Sequence, residues 1–289
     1  MRVGVHTSIA GALVNAAHRA HEIGCDTFQI FSANPRGWHE SKPSAESCAK
    51  FCEARAGYRL RPLAIHANYL INLAAADPVV RLPSVAAFRR ELQRALSLRA
   101  EYVVLHPGSA KNGSHSSAVK RFVQSLLTAI KGLQLDGLSV LIENTAGQGS
   151  VLGSTFEEMA EILEGIRPEV PAGVCIDTAH SFAAGYAIHT PRGLGDALRK
   201  LDATVGLRNV RLIHANDSKS AFASHVDRHQ HIGEGQIGAE GFRRILRHPK
   251  LRAIPFICET PVDKPDDDRR NVEMMRRLGN REKRVANRE

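Results

Sequence analysis

A short apolar segment followed by a longer stretch of helical period recurs eight times along the chain, and no other feature restricts the fold as tightly. The apolar segments lie at 3–6, 27–31, 63–66, 102–106, 139–143, 173–177, 210–214 and 255–259. Such short runs read as buried strands. The helical stretches lie near 11–23, 44–56, 82–99, 116–134, 155–165, 191–204, 239–247 and 267–278. Repeated strand-then-helix units demand parallel strands, and a closed barrel of eight takes roughly 250 residues. The 289-residue chain accommodates one with little to spare. An α/β fold, a (β/α)8 TIM barrel, is therefore expected as a single catalytic domain over 1–279, followed by a basic, frayed tail at 280–289. A doubly wound open sheet is the alternative. Ser154 with Glu157 reads as a capping box for the fifth helix, and Pro191 suits the first turn of the sixth.

Six of the eight strands end in a residue that binds metals: His66, His106, Glu143, Asp177, His214 and Glu259. His6 makes a seventh candidate. In a parallel barrel all these ends converge on one face, where active sites of the fold lie. One such residue would be the ordinary meeting of a strand with water; six put imidazoles and carboxylates in one bowl. Zinc takes these donors, and manganese or iron accept them too. Six ligands exceed one four-coordinate site with an open position, so a cluster of two or more metals is expected, the arrangement that clamps a phosphodiester. Asp177-Thr178-Ala179-His180 and Asp227-Arg228-His229 add candidates. Residues i and i+2 of an extended segment share a side, so Asp227 and His229 can chelate together.

Composition narrows the setting. Apolar residues make up 43% and charged residues 24%, which suits a folded globule and not a disordered chain. The net charge of +9 favours polyanionic partners. Part of the excess lies at the end, where Arg276, Arg277, Arg281, Lys283, Arg284 and Arg288 face only Glu282 and Glu289. The five cysteines, Cys25, Cys48, Cys52, Cys175 and Cys258, show no disulfide framework and are expected as reduced, mostly buried residues. The chain opens on a strand-like run, so no signal peptide is expected, and no apolar run approaches the ~18 residues of a membrane span. A cytoplasmic monomer is the expectation.

Ordered blocks of residues then resemble the endonuclease IV family (AP endonuclease family 2) over nearly the whole chain. They are Gly4-Val5-His6-Thr7-Ser8, Asn34-Pro35-Arg36-Gly37-Trp38, His66-Ala67-Asn68-Tyr69-Leu70-Ile71-Asn72-Leu73, His106-Pro107-Gly108-Ser109, Ile142-Glu143-Asn144-Thr145-Ala146-Gly147-Gln148-Gly149, Cys175-Ile176-Asp177-Thr178-Ala179-His180, His214-Ala215-Asn216-Asp217-Ser218-Lys219, Asp227-Arg228-His229 with Ile232-Gly233-Glu234-Gly235, and Glu259-Thr260-Pro261. The resemblance implies a xylose isomerase-like barrel with three zinc ions, manganese being compatible with one site. It implies that His66 and His106 hold the first ion, that Asp177, His214 and Glu259 hold the second, that Glu143 bridges these two, and that His180, Asp227 and His229 hold the third. It further implies cleavage of damaged double-stranded DNA 5′ to an abasic site, leaving a 3′-hydroxyl and a 5′-deoxyribose phosphate, with trimming of blocked 3′ ends, in base excision repair. Glu259 and Glu143 then serve catalysis, Glu259 by orienting the attacking water. Arg36, Tyr69 and Leu70 occupy the positions that enter the base stack, a task suited to an aromatic ring and an apolar wedge.

Departures from the family pattern are Ala223 and Ala12, where glycine is more usual, and Asn68, at a variable position. Alanine at a position needing positive φ would be strained. Gly147-Gln148-Gly149 with Gly153 misses the dinucleotide spacing and reads as a turn, so no nucleotide cofactor is expected. His231 and the histidines at 18, 21, 39, 115, 189, 225 and 248 read as solvated or structural. Two rivals remain at this point. Glu143, Asp177, His214 and Glu259 alone would suit a xylose isomerase-like sugar isomerase or epimerase, and a noncatalytic nucleic-acid-binding protein could carry structural metals.

Overall fold

The computed structural model describes residues 1–38, 42–111 and 113–280. His39 and the tail residues Arg281, Lys283, Arg284 and Arg288, with Glu282 and Glu289, lie outside the described residues. Ten strands are present among the described residues: β1 (Val3–Val5), β2 (Phe28–Phe31), β3 (Leu63–His66), β4 (Tyr102–Leu105), β5 (Ser139–Glu143), β6 (Ala172–Asp177), β7 (Val210–His214), β8 (Asp217–Ser218), β9 (His229–Gln230) and β10 (Phe256–Cys258). Between them run α1 (Val14–Ile23), α2 (Ala45–Gly57), α3 (Pro78–Ser97), α4 (His115–Ile130), α5 (Phe156–Ile166), α6 (Thr178–Ala183), α7 (Pro191–Thr204), α8 (Gly238–Arg247) and α9 (Asp267–Gly279).

Eight of the strands form one parallel sheet in the order β1-β10-β7-β6-β5-β4-β3-β2. Its two ends meet, because His6 bridges Gln29 in parallel and the Thr7 amide donates to the Gln29 carbonyl at 2.7 Å. The sheet is thus a closed barrel and not a doubly wound open sheet. Closure brings β1 so near the start of β2 that a Cβ on Gly4 would lie 1.7 Å from the Thr27 carbonyl oxygen, so only glycine fits there.

The period of two along each strand divides the core into two shells. Leu63, Ile65, Val103, Leu105, Val140 and Ile142 belong to the large apolar cluster shared with the helices. Ala64, Val104, Leu141, Cys175, Leu212 and Ile257 form a separate cluster, which fills the barrel. Two residues beyond each of these inward positions stand His66, His106, Glu143, Asp177, His214 and Glu259. The metal-type residues are therefore the topmost layer of the barrel interior, resting on a dry floor.

Local boundaries differ from expectation where two signals compete. Helix α3 starts at Pro78, capped by the Asp77 carboxylate on the Val79 amide, and carries Pro83 inside it instead of opening near 82. The cap of α5 is Thr155, whose hydroxyl accepts from the Glu158 amide at 3.2 Å, and not Ser154 with Glu157. Both pairs fit the capping spacing; the chosen register buries Phe156, Met159, Ile162, Leu163 and Ile166 together. Pro191 does sit in the first turn of α7 behind the Thr190 cap. Helix α6 and the antiparallel β8–β9 ribbon are additions that no apolar periodicity announces. All five cysteines are free, four of them buried, with Cys52 half-buried. Arg276 and Arg277 lie in the last turn of α9, where Arg276 pairs with Asp26 at 3.0 Å. No described helix is long and apolar enough to cross a membrane.

Candidate metal centre and its rim

The six strand-end residues converge as the barrel geometry requires. Glu143 is wholly buried at their centre, its Oε2 3.2 Å from His66 Nε2 and 3.3 Å from His106 Nε2, and its Oε1 3.0 Å from His214 Nδ1. His214 Nδ1 also lies 3.1 Å from Glu259 Oε2. Ligand atoms of His66, His106 and Glu143 fall within 4.8 Å of one another, as do those of Glu143, Asp177, His214 and Glu259. Glu143 belongs to both groups, which is the arrangement of a bridging carboxylate.

A third group lies off the strand ends. Asp177 caps α6 through the His180 amide at 2.8 Å, which stands His180 one turn above the strand. The β8–β9 ribbon carries Asp227 in its connecting loop and His229 on β9. His180 Nε2 is 3.1 Å from Asp227 Oδ2 and His229 Nε2 is 3.2 Å from Asp227 Oδ1. Asp177 also reaches this group, with its Oδ2 3.7 Å from His229 Nε2, and the atoms of Asp177, His180 and His229 all lie within 4.8 Å. The two imidazoles point more closely at Asp227, so Asp177 stands between the second and third groups. All nine residues expected as ligands thus surround one bowl.

Each buried imidazole has one nitrogen tied down and the other facing carboxylates. The Nδ1 atoms of His66, His180 and His229 lie 2.8, 2.9 and 3.0 Å from the carbonyls of Ala67, Asn144 and Glu259, which leaves Nε2 turned toward a carboxylate in each. His214 is reversed: its Nε2 lies 2.9 Å from Gln29 Oε1, and Nδ1 faces Glu143. Carboxylates are held likewise. Asn216 donates to Asp177 Oδ2 at 2.6 Å and accepts from the Glu259 amide at 2.7 Å, and Gln29 donates to Glu259 Oε1 at 2.5 Å. Outer partners of this kind fix tautomer and orientation in metal sites. Gln29, Asn144 and Asn216 escape sequence reasoning. Only Gln29 leaves a signal: a polar residue at an inward position of an otherwise apolar strand.

The electrostatics follow from the crowding. Burial disfavours charge on Glu143, but the facing histidines, His214 and His106 first, hold its carboxyl well below the usual range. Burial likewise opposes the charged form of Glu259, but His214 foremost holds its carboxyl below the usual range. In the opposite sense, burial works against protonation of His180, His214 and His66, yet their neighbours raise all three, carboxylates at His180 and His66 and, at His214, Cys175 ahead of Glu259 and Glu143. His229 is raised to about 9, burial being outweighed by Asp177 and Asp227.

The rim is built by the loops after β2 and β3. Arg36 and Trp38 are exposed on the first, Tyr69 and Leu70 on the second. Asn68 sews the two together by donating to the carbonyls of Asn34 and Gly37 at 3.0 and 2.8 Å, and its own side chain accepts from the Leu70 amide at 2.8 Å. The Tyr69 ring leans on Phe31 with centroids 5.1 Å apart and keeps about half its surface, 54%, in solvent. Ala223 adopts φ +56°, the left-handed conformation that glycine takes without cost, whereas at the first loop Gly11 takes the positive φ and Ala12 does not. Gly147, Gly149 and Gly153 all have positive φ, as expected of a turn.

The donor set fits divalent zinc. In a tetrahedral site with bonds of roughly 2.0–2.1 Å, neighbouring ligand atoms lie about 3.3 Å apart. The nitrogen–oxygen separations about Glu143 and Asp227 run from 3.0 to 3.3 Å. In addition, among the described residues His229 Nε2 is buried with no well-aligned hydrogen bond, which leaves that atom for a metal to take up.

Comparison with known proteins agrees with this geometry. Residues 17–278 match the family described as a xylose isomerase-like TIM barrel. A probable endonuclease 4 of Solibacter usitatus is 51% identical over 280 residues, covering 96% of this chain and 97% of its own. One of Methanoculleus marisnigri is 40% identical, with coverage of 96% and 98%. The crystal structure of endonuclease IV from Thermus thermophilus superposes with a TM-score of 0.86 at 37% identity, covering 96% of this chain and 98% of that one. A D-tagatose 3-epimerase-like protein, 21% identical with a TM-score of 0.71, shares the fold alone. On its blocks of residues, its barrel and these relatives, the chain belongs to the endonuclease IV family.

Proposed function

We propose that the protein is a zinc-dependent nuclease of base excision repair that hydrolyses the phosphodiester 5′ to abasic sites in duplex DNA. The products are a 3′-hydroxyl and a 5′-deoxyribose phosphate, and the same centre trims blocked 3′ ends. The observation that carries the reading is the third group. His180, Asp227 and His229 complete a nine-residue donor set around a bowl whose rim bears Arg36, Tyr69 and Leu70. A sugar isomerase of the same fold has no need of that group or of that rim.

His66, His106 and Glu143 would hold one ion, Glu143, Asp177, His214 and Glu259 a second, and His180, Asp227 and His229 a third, with manganese compatible at one of them. Bound ions of this kind supply Lewis acidity that activates water at neutral pH and neutralises charge on the phosphate. The chain supplies position. Gln29 holds the Glu259 carboxylate, whose task is to orient the attacking water, and Asn216 holds the backbone amide of the same residue. Glu143 keeps two groups at a set spacing. Because the histidines are spent as ligands, none of them acts as a general base. Tyr69 and Leu70 fill the gap left by the missing base while Arg36 reaches the strand, so an abasic sugar can turn into the bowl at little unstacking cost. The net charge of +9 draws the polyanion in. A monomer suffices for this mechanism.

An end-labelled duplex with one tetrahydrofuran abasic analogue tests the reading. Lacking the aldehyde, the analogue resists β-elimination, so a nick on its 5′ side reports hydrolysis. The expected result is that nick, absent with an intact duplex and with the His66→Ala/Glu259→Ala protein. A metal-loaded protein that leaves the analogue uncut overturns the nuclease reading.

A further inference from the structure

His6 stands on the seventh strand end of the bowl, yet it belongs to none of the three candidate metal groups. We propose that His6 donates a hydrogen bond from its Nε2 to a phosphate oxygen of the DNA strand in the bowl, and that Gln29 fixes it in that role. This role rests on the reading of DNA as substrate.

The side-chain amide of Gln29, a fully buried residue, sets the tautomer of His6. Its Oε1 lies 2.9 Å from His214 Nε2, and its Nε2 lies 2.5 Å from Glu259 Oε1 and 3.1 Å from His6 Nδ1. The opposite amide orientation would set a carbonyl oxygen against the Glu259 carboxylate at hydrogen-bond distance, two acceptors facing each other, so the orientation is determined. An amide NH2 only donates; therefore His6 Nδ1 accepts, and the proton of the neutral ring sits on Nε2. The ring is held in place by Phe31, with centroids 4.3 Å apart.

Two consequences separate His6 from the ligands. Its Nδ1 is already engaged by an amide donor, so that atom has no lone pair to give a metal. Its Nε2 has no protein hydrogen bond among the described residues and is not one of their buried unpartnered atoms, and the side chain is 16% exposed. An uncharged donor at the edge of a cluster of carboxylates is what an incoming phosphate can use, because it offers hydrogen bonding without displacing an ion.

The test is the His6→Phe variant, which keeps a ring against Phe31 and removes both nitrogens. Metal content per chain, thermal melting and kcat/KM on the tetrahydrofuran duplex are measured beside the wild type. The expected result is unchanged metal content and melting with kcat/KM lower by about 10–100-fold, the range for losing one hydrogen bond to a charged group. A long-range proton–nitrogen NMR spectrum of the metal-loaded wild type should show His6 protonated on Nε2. Loss of metal in the variant makes His6 a ligand and overturns the proposal. Unchanged kcat/KM with full metal, or a wild-type proton on Nδ1, overturns it too. If the wild type itself fails to nick the duplex, the functional reading falls first and this falls with it; if only the variant's deficit is missing, this proposal falls alone.

Discussion

The two halves of the metal bowl are mounted differently. His66, His106, Glu143, Asp177, His214 and Glu259 stand at the ends of barrel strands, above an apolar floor of Ala64, Val104, Leu141, Cys175, Leu212 and Ile257. Their positions follow from the pleat, since a residue two past an inward position is itself inward. His180, Asp227 and His229 ride instead on a short helix and a ribbon, where nothing periodic sets direction. The ribbon is held by tethers. Asp217, fully buried, accepts from the amides of Ser218, Gly233, Gly235 and Ile237 at 2.8 to 3.0 Å. Phe222 lies against Phe182 of α6 with centroids 5.4 Å apart, and the amides of Ala223 and His225 donate to the carbonyls of Phe182 and Ala183. His225 Nδ1 also reaches the Ala146 carbonyl at 3.0 Å. Strand-mounted ligands are placed by the fold; the third set is placed by particular side chains, and so should be lost more easily.

The severest break of this contrast is Glu143→Gln. Glu143 joins two groups, so the variant should lose metal from both and turnover should fall on the order of 10⁴-fold or more, as when one member of an interdependent catalytic unit is removed. Metal analysis with single-turnover cleavage checks it, and full metal content would deny the bridging role. Asp227→Ala removes a proposed ligand from the tethered group only. One ion should be lost while two remain, with turnover lower by about 10²–10³-fold, the scale for removing one stabiliser of developing charge. Loss of all three ions would show that the halves are not separable.

The two halves are also unequally legible in the amino-acid sequence. The eight strands and the helices around them follow from apolar periodicity, and the strand-end residues from the rule that such ends converge. His180, Asp227 and His229 carry weak local spacings, and their assignment rests on resemblance to the family. Gln29, Asn144 and Asn216 go unassigned because an amide has no spacing rule; its role emerges only when distant strands bring it against its partners. The cap of α5 differs by one residue because Ser154 and Thr155 satisfy the same spacing and the buried face decides.

Asp217→Asn probes the tethers without touching a ligand. An amide cannot accept at both ends, so part of the nest of backbone donors is left unmatched. The cost is about 2–3 kcal/mol, the scale of hydrogen bonds to a charged group. Hydrogen exchange should rise in 218–238 and not in β3 to β5. Affinity for the third ion should fall by about 10–100-fold. Equal exchange in both regions would mean that the ribbon does not depend on Asp217.

The protonation of His229 gives a pH window for the same group. In chelator-treated protein its pKa is raised to about 9, so its contribution to stability is complete below the unfolded value of about 6.5 and is lost as pH rises through the folded one. Melting of the chelated protein should therefore decline between roughly pH 6.5 and 9. If His229 is a ligand as proposed, bound metal keeps it deprotonated and the decline should shrink. Equal pH slopes with and without metal would remove His229 from the ligand set.

The smallest effect is the most specific to this chain. Ala223 holds φ +56° two residues before His225, at φ +55°, in the loop that presents Asp227. A left-handed alanine costs roughly 1–2 kcal/mol, and glycine adopts the same conformation without that strain but loses more entropy on folding, about 0.5–1 kcal/mol. Ala223→Gly should thus stabilise the folded protein slightly, by less than about 1 kcal/mol. The two possible directions of the functional effect carry different meanings. If the ribbon's tethers alone place Asp227, the glycine variant keeps its affinity for the third ion while melting slightly higher. If the left-handed alanine helps to stiffen the loop, the variant melts higher yet releases that ion faster, and the distinction between fold-placed and side-chain-placed ligands extends to the backbone itself.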